Sequence, residues 1–174
     1  MGMHESLTAL IRDIPDFPKP GIRFKDITPL LSDPSGLSLA VELMANPWRD
    51  DRPDLVVGAE SRGFIFGTAL AQSLSCGFVP VRKPGKLPYE TVSVEYELEY
   101  GKDTLEMHKD AIKPGQKVLL VDDLIATGGT AKAACDLIER LGGEVLGLVV
   151  LIELEELKGR ELMGPVEVHS LLRY

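Results

Sequence analysis

Cysteine is scarce in this chain: the only two, Cys76 and Cys135, stand far apart and without metal-ligand spacing. That excludes a disulfide framework and a zinc cluster. In their helical or apolar surroundings both are expected to be plain core residues. Long apolar runs are missing as well. No stretch reaches the length of about 18 apolar residues that a membrane-spanning helix needs, so no membrane partner is expected. Positive charge is the third shortage, with 19 Lys and Arg against 27 Asp and Glu and a formal net charge of −8. A general nucleic-acid-binding face needs basic patches. No nucleic-acid partner is therefore expected, and any anion site must be a local exception. The N-terminus lacks the basic block and apolar block of a signal peptide. Met1 to Ser6 fits the loose myristoylation pattern, but no basic cluster follows to supply a second anchor. A reduced, cytoplasmic setting is the expectation. Repeats, low-complexity segments and linkers are also lacking. The 174 residues, 44% hydrophobic and 26% charged, suit a single domain, 1–174, with a sizeable core.

What is there centres on Lys117-Val-Leu-Leu-Val-Asp-Asp-Leu-Ile-Ala-Thr-Gly-Gly-Thr130. Val118 to Val121 is short, apolar and β-branched-rich, which predicts a buried strand. Two carboxylates, Asp122 and Asp123, stand at its end. Thr127-Gly128-Gly129-Thr130 then turns into a helix over Ala131, Ala134, Cys135, Ile138 and Leu141, stopped by Gly142-Gly143. Paired glycines let backbone approach a ligand closely, and the free N–H groups of a helix start attract anions. Carboxylates beside such a cradle make sense for a ligand that also carries hydroxyls or a metal. A sugar phosphate meets all three demands.

The remaining chain supplies the frame. Leu7, Leu10, Ile11 and Ile14 share a helical face over 6–14. Pro15, Pro18 and Pro20 then force an extended segment, and Pro20 to Pro29 reads as a turn and short extended run. Asp33-Pro34 predicts the N-cap and first residue of a helix with Leu37, Ala40, Val41 and Met44 inward. Asp54 to Ala59 reads as a buried strand, followed by Glu60-Ser61-Arg62-Gly63 and a helix from Phe64 to Leu74. A second strand, Gly77 to Val81, runs into Arg82-Lys83-Pro84-Gly85-Lys86. Three positive charges so close together are unusual in an acidic chain, although a basic surface turn would read the same way. Thr91 to Leu98 and Thr104 to His108, around a turn at 99–103, predict a projecting β-hairpin. Val145 to Ile152 and Val166 to Leu172 are further strands, with a short helix expected over Leu157 to Met163. The alternation predicts an α/β fold with a mainly parallel central sheet flanked by helices. Loops after parallel strands gather at one edge, so Ser61-Arg62, Arg82-Lys83 and Asp122 to Thr130 should meet in one crevice.

With those pieces in place, residues 117–130 resemble the 5-phosphoribosyl-1-diphosphate (PRPP) motif of the type I phosphoribosyltransferases. Pro20 to Pro29, Ala59-Glu60-Ser61-Arg62-Gly63-Phe64, Arg82 to Pro88 and Glu97-Leu98-Glu99-Tyr100-Gly101-Lys102 are similar to the adenine-specific branch of that family. The resemblance covers nearly the whole chain. It implies the purine-salvage reaction of adenine with PRPP to AMP and diphosphate, with magnesium required. Ala126, Thr127, Gly128, Gly129 and Thr130 match the loop for the 5′-phosphate. Asp122 and Asp123 match the acidic pair facing the ribose hydroxyls. Magnesium is expected mainly on PRPP, without a direct protein site, these two carboxylates being the candidates nearest to it. Arg62 matches the diphosphate-binding arginine, and Glu60-Ser61 matches a peptide bond that family members often hold cis. Arg82, Lys83 and Lys86 match residues serving diphosphate, some across the interface of a homodimer.

The resemblance places adenine recognition in the N-terminal segment 1–33, through backbone near Arg23 and Lys25 and stacking on Phe24, with Leu154 closing the far side. It makes 83–111 a flexible catalytic hairpin or hood, with Glu99 and Tyr100 at its working end and Glu99 the candidate for proton handling. His4, His108 and His169 have no suggestive spacing and read as structural or surface residues. Two other readings compete. One is the same enzyme class acting on guanine, hypoxanthine or orotate. The other is a nucleotide-sensing regulator, which would need an added nucleic-acid-binding region and a basic face.

Overall fold

A computed structural model describes residues 2–98 and 101–174. The chain divides into two compact units, Met1–Leu43 and Met44–Tyr174.

In the first unit, helix α1 (Met3–Thr8) is followed by strand β1 (Arg12–Pro15), strand β2 (Arg23–Asp26) and helix α2 (Thr28–Ser32). The helix expected over 6–14 is thus shorter than its periodicity suggests. Ile14 precedes Pro15, and a residue before proline is driven toward extended backbone. Strand β1 accordingly pairs antiparallel with β2, Ile14 opposite Phe24. Helix α2 is an addition to the extended run expected there. Asp26 starts it by accepting hydrogen bonds from the Thr28 amide and hydroxyl, 2.9 Å each, and these hold the Asp26 carboxyl below its usual range. Helix α3 (Pro34–Ala45) begins as its sequence predicts, with Asp33 Oδ1 capping the Gly36 amide at 2.6 Å. Ala40 and Met44 on it are fully buried.

The second unit alternates strand and helix: β3 (Leu55–Ala59), α4 (Gly63–Ser73), β4 (Gly77–Val81), then the hairpin β5 (Thr91–Leu98) and β6 (Gly101–His108). After it come β7 (Lys117–Ile125), α5 (Gly129–Arg140), β8 (Glu144–Glu153), α6 (Gly159–Leu162) and β9 (Val168–Arg173). The central sheet has the order β4-β3-β7-β8-β9 and is parallel throughout. Its inner strands are apolar on both faces, as a sheet covered on both sides requires. One face, including Val57, Leu120, Leu148 and Val150, joins Ala134, Leu137 and Ile138 of α5 in the main core. Helix α4 packs on β3 and β7.

The hairpin is anchored in that core, because Val94, Leu105 and Met107 are buried members of it. Its pairing runs from Thr91 opposite His108 to Leu98 opposite Gly101. Gly101, Lys102 and Asp103, expected in the turn, are therefore strand residues; their backbones are taken up by the ladder. Cys135 is buried, and burial pushes its thiol up to about 12. Cys76 corrects the sequence reading, since it is only half-buried where the chain leaves α4 for β4.

Strand β7 runs further than expected. Asp122 pairs with Val150, Leu124 with Ile152 and Ile125 with Glu153, because the apolar run of β8 offers ladder partners past the acidic pair. On the other side β3 stops at Val121. Strand β3 leads toward β4, and β7 leads toward β8. The two neighbours therefore depart in opposite directions, which is where open α/β sheets form ligand crevices.

Beyond the sheet edge, Glu153 is buried and bound at both oxygens by Arg160, Nε at 2.9 Å and Nη2 at 2.5 Å. The Arg160 bond holds the Glu153 carboxyl below its ordinary value of 4.5. Its stabilisation is complete above that unfolded-state value and is lost as pH falls through the lower folded-state value. Glu153→Gln, which cannot titrate, is expected to lower the melting temperature at pH 7 and to flatten the decline below pH about 4.5. An acid limb as steep as the parent's would remove Glu153 from that role.

Candidate active site

The crevice at the sheet's switch point encloses about 420 Å³ and is lined by Glu60, Ser61 and Arg62 after β3 and by residues 122–131 from β7 to α5. That volume is in the range of small-molecule sites. Its floor is acidic. The Asp122 carboxylate accepts the Asp123 amide at 2.8 Å, and burial, reinforced by the Asp123 carboxylate, pushes the Asp122 carboxyl well above its usual range. Asp123, itself buried, accepts from Arg62 Nε at 2.6 Å, a bond that raises the Arg62 guanidinium. Arg62 thus crosses from the start of α4 to the end of β7. The Glu60-Ser61 peptide bond beside it is cis.

Above this floor sits the glycine turn. Gly128 has φ +88°, a left-handed backbone that disfavours any side chain. A Cβ there would lie 2.7 Å from the Gly159 carbonyl oxygen. The turn opens α5, whose N-terminus has no capping side chain among the described residues, so its first N–H groups remain available to an anion. Thr127 is exposed beside it, with Ala126 and Thr130 half-buried. A ring of backbone donors next to two carboxylates can hold a ligand that is anionic at one end and carries hydroxyls at the other.

The basic turn is placed differently from the crevice lining. Arg82 Nε lies 3.4 Å from Glu60 Oε1, and its guanidinium sits 6.0 Å from the Phe64 ring centre. The Lys83 amide donates to Glu60 Oε1 at 2.6 Å. The Lys83 ammonium binds Asp103 and approaches the Tyr96 hydroxyl at 3.4 Å. Burial works against that ammonium, but Asp103 and Tyr96 together more than offset it, so the Lys83 pKa rises. Lys86 is exposed. Sequence reasoning missed two members of this network. The Tyr96 hydroxyl lies 3.3 Å from Asp103 and 3.3 Å from Thr130, tying the hairpin to the glycine turn. In the sequence, Tyr96 is only one position of an alternating strand. Asp103 was hidden in a stretch read as turn. Glu99 and Tyr100 lie outside the described residues.

The expected base-recognition residues fall in both units. In the first, Phe24 is half-buried and edge-packed on Phe17 with ring centres 5.2 Å apart. Ile14, Phe17, Phe24 and Asp26 line a hollow of about 250 Å³. Arg23 and Lys25 reach Asp13 at 3.5 and 3.3 Å. In the second, Leu154 is half-buried and extended just after β8. Among the described residues no group of three or more metal-ligating side chains converges. Two carboxylates with phosphate oxygens from a ligand are, however, a donor set that suits magnesium, and Asp122 with Asp123 fits that requirement.

Comparison with known proteins agrees with this geometry. Residues 30–172 match the model of the phosphoribosyl transferase domain. An adenine phosphoribosyltransferase of Clostridium perfringens is 60% identical over 169 residues, 97% of this chain and 98% of its own. The crystal structure of adenine phosphoribosyltransferase from Rhodothermus marinus superposes with a TM-score of 0.95 at 55% identity, covering 99% of this chain and 98% of that one. The Saccharomyces cerevisiae enzyme, solved with an imino-altritol bisphosphate and adenine, gives 0.92 at 41% identity, with 98% of each chain covered. The chain therefore belongs to the phosphoribosyltransferases with a parallel α/β fold, and within them to the adenine phosphoribosyltransferases.

Proposed function

We propose that the crevice between β3 and β7 binds PRPP and that its phosphoribosyl group is transferred to adenine, giving AMP and diphosphate. One observation carries the reading: a glycine turn at an uncapped helix start, two carboxylates and an arginine line a single crevice. The backbone of Ala126 to Thr130 takes the 5′-phosphate, with Thr127 and Thr130 adding hydroxyls. Asp122 and Asp123 take the ribose hydroxyls. Arg62, with Arg82, Lys83 and Lys86, takes diphosphate; Lys83 exchanges Asp103 for it. Asp122 and Asp123 would help to hold the magnesium that PRPP carries, and that ion would supply positive charge to the leaving diphosphate.

Cleavage at the anomeric carbon develops oxocarbenium character, as at other glycosidic centres. The cationic side chains stabilise the charge growing on diphosphate, and fixing sugar and base on opposite faces of the carbon supplies much of the rate. A covalent nucleophile is not needed. Adenine is assigned to Arg23, Phe24, Lys25 and Leu154; an aromatic face offers a base about 1–3 kcal/mol of stacking. Glu99 and Tyr100 are assigned to the hood, which keeps water from the cation, with Glu99 handling the proton. The working form proposed is a cytoplasmic homodimer.

Steady-state assays with adenine, hypoxanthine, guanine and orotate test the base. Adenine is expected to dominate kcat/KM, and adenine slower than hypoxanthine would overturn the choice. Tyr96→Phe tests the tie between hairpin and loop. Its contacts are long, so a net loss of about 0.5–1.5 kcal/mol, or roughly two- to tenfold in KM for PRPP, is expected. An unchanged KM would make the hydroxyl incidental.

A further inference from the structure

The proposed phosphate loop does not stand alone: its outer wall is the start of α6. A Cβ on Gly159 would lie 2.4 Å from the Ala126 carbonyl oxygen and 3.0 Å from the Gly128 nitrogen. The two backbones are therefore in direct contact, with no room for a side chain between them. Immediately after Gly159 comes Arg160, the bidentate partner of Glu153. Arg160 also donates to the Val168 carbonyl at 2.5 Å, and Ser170 Oγ donates to Glu153 Oε2 at 2.5 Å. Glu153 in turn pairs across the sheet with Ile125, the last residue of β7 before the loop, and the Leu154 amide donates to the Ile125 carbonyl at 3.0 Å.

A partly buried ion pair of this kind is weak evidence for net stability but fixes geometry well. Its planar, two-bond fork sets both distance and orientation. Here it sets them at the residue adjoining the loop wall. We infer that Glu153 and Arg160 are positioning residues for the 5′-phosphate, holding Gly159 against Ala126 and Gly128 so that the loop's N–H groups converge. The inference rests on the phosphate-loop reading above and extends it to residues outside the crevice lining.

Two variants and one measurement on the unaltered chain test this. Arg160→Lys keeps the charge and loses the fork; Gly159→Ala pushes directly on the loop. Calorimetric titration with ribose 5-phosphate is expected to show at least about tenfold weaker binding in each, and PRPP kinetics a rise in KM larger than the fall in kcat. A merely structural pair would lower the melting temperature and leave affinity and KM alone, and that result in either folded variant would overturn the inference. Should neither variant fold, amide hydrogen exchange of the parent chain decides. Ribose 5-phosphate is expected to slow exchange in 126–130 and, with it, in 154–161. Protection confined to 126–130 would overturn the inference alone. No protection in 126–130 would overturn the phosphate-loop reading, and the inference with it.

Discussion

Gly128→Ala is expected to reduce kcat/KM for PRPP by about a hundredfold or more. Two independent costs meet at this residue. Its φ of +88° lies where only glycine is unstrained, and a Cβ would stand 2.7 Å from the Gly159 carbonyl. Backbone cannot yield there as a flexible side chain would, so the turn must shift. The shift moves the first N–H groups of α5, the donors assigned to the 5′-phosphate. Loss of one well-placed donor to a charged group costs about 10²–10³ in rate at comparable sites. The fold should survive, because the main core lies beneath the turn in β7, β8 and the inner face of α5. Steady-state kinetics with a thermal melt checks this. PRPP kinetics within a few-fold of the parent would mean that the turn does not hold phosphate.

Asp123→Asn should have the second-largest effect. Asn preserves shape but not charge, so the 2.6 Å bond to Arg62 Nε ceases to be an ion pair. A hydrogen bond to a charged group is worth about 1.5–3 kcal/mol, and at 1.36 kcal/mol per decade this corresponds to roughly 10- to 150-fold in kcat/KM. Two functions suffer together: a ribose contact is weakened and Arg62 is held by a neutral acceptor in place of a carboxylate. The substitution also removes the neighbouring charge that, with burial, holds Asp122 up. The pH dependence of PRPP binding should therefore shift as well as its strength. Unchanged PRPP kinetics and an unchanged profile would contradict the assignment.

The parallel sheet was legible because its strands are short apolar runs separated by helical periodicity, and α5 because its apolar positions fall on one face before Gly142-Gly143. Asp33 was legible as a cap because a side-chain oxygen next to a proline has few other uses. What escaped was set by pairing. Asp122 and Asp123 look like the end of a strand, yet β8 carries β7 on to Ile125. Ile14 looks helical by spacing, but Pro15 and its partner Phe24 make it extended. In the candidate site, Arg62, the acidic pair and the glycine turn were readable, since Arg62 and the turn follow strands and the acidic pair closes an apolar run, all at the same sheet edge. Tyr96, Asp103 and Gly159 were not. Their importance lies in contacts across the fold, Tyr96 with Thr130 and Gly159 with Ala126, and no local pattern encodes such contacts.

A crystal structure of the chain with AMP tests the central claim most directly. The account predicts the phosphate within hydrogen-bond distance of the backbone amides of residues 127–130, with the ribose hydroxyls on Asp122 and Asp123. A nucleotide phosphate bound elsewhere, with the turn at 127–130 unoccupied, would contradict it.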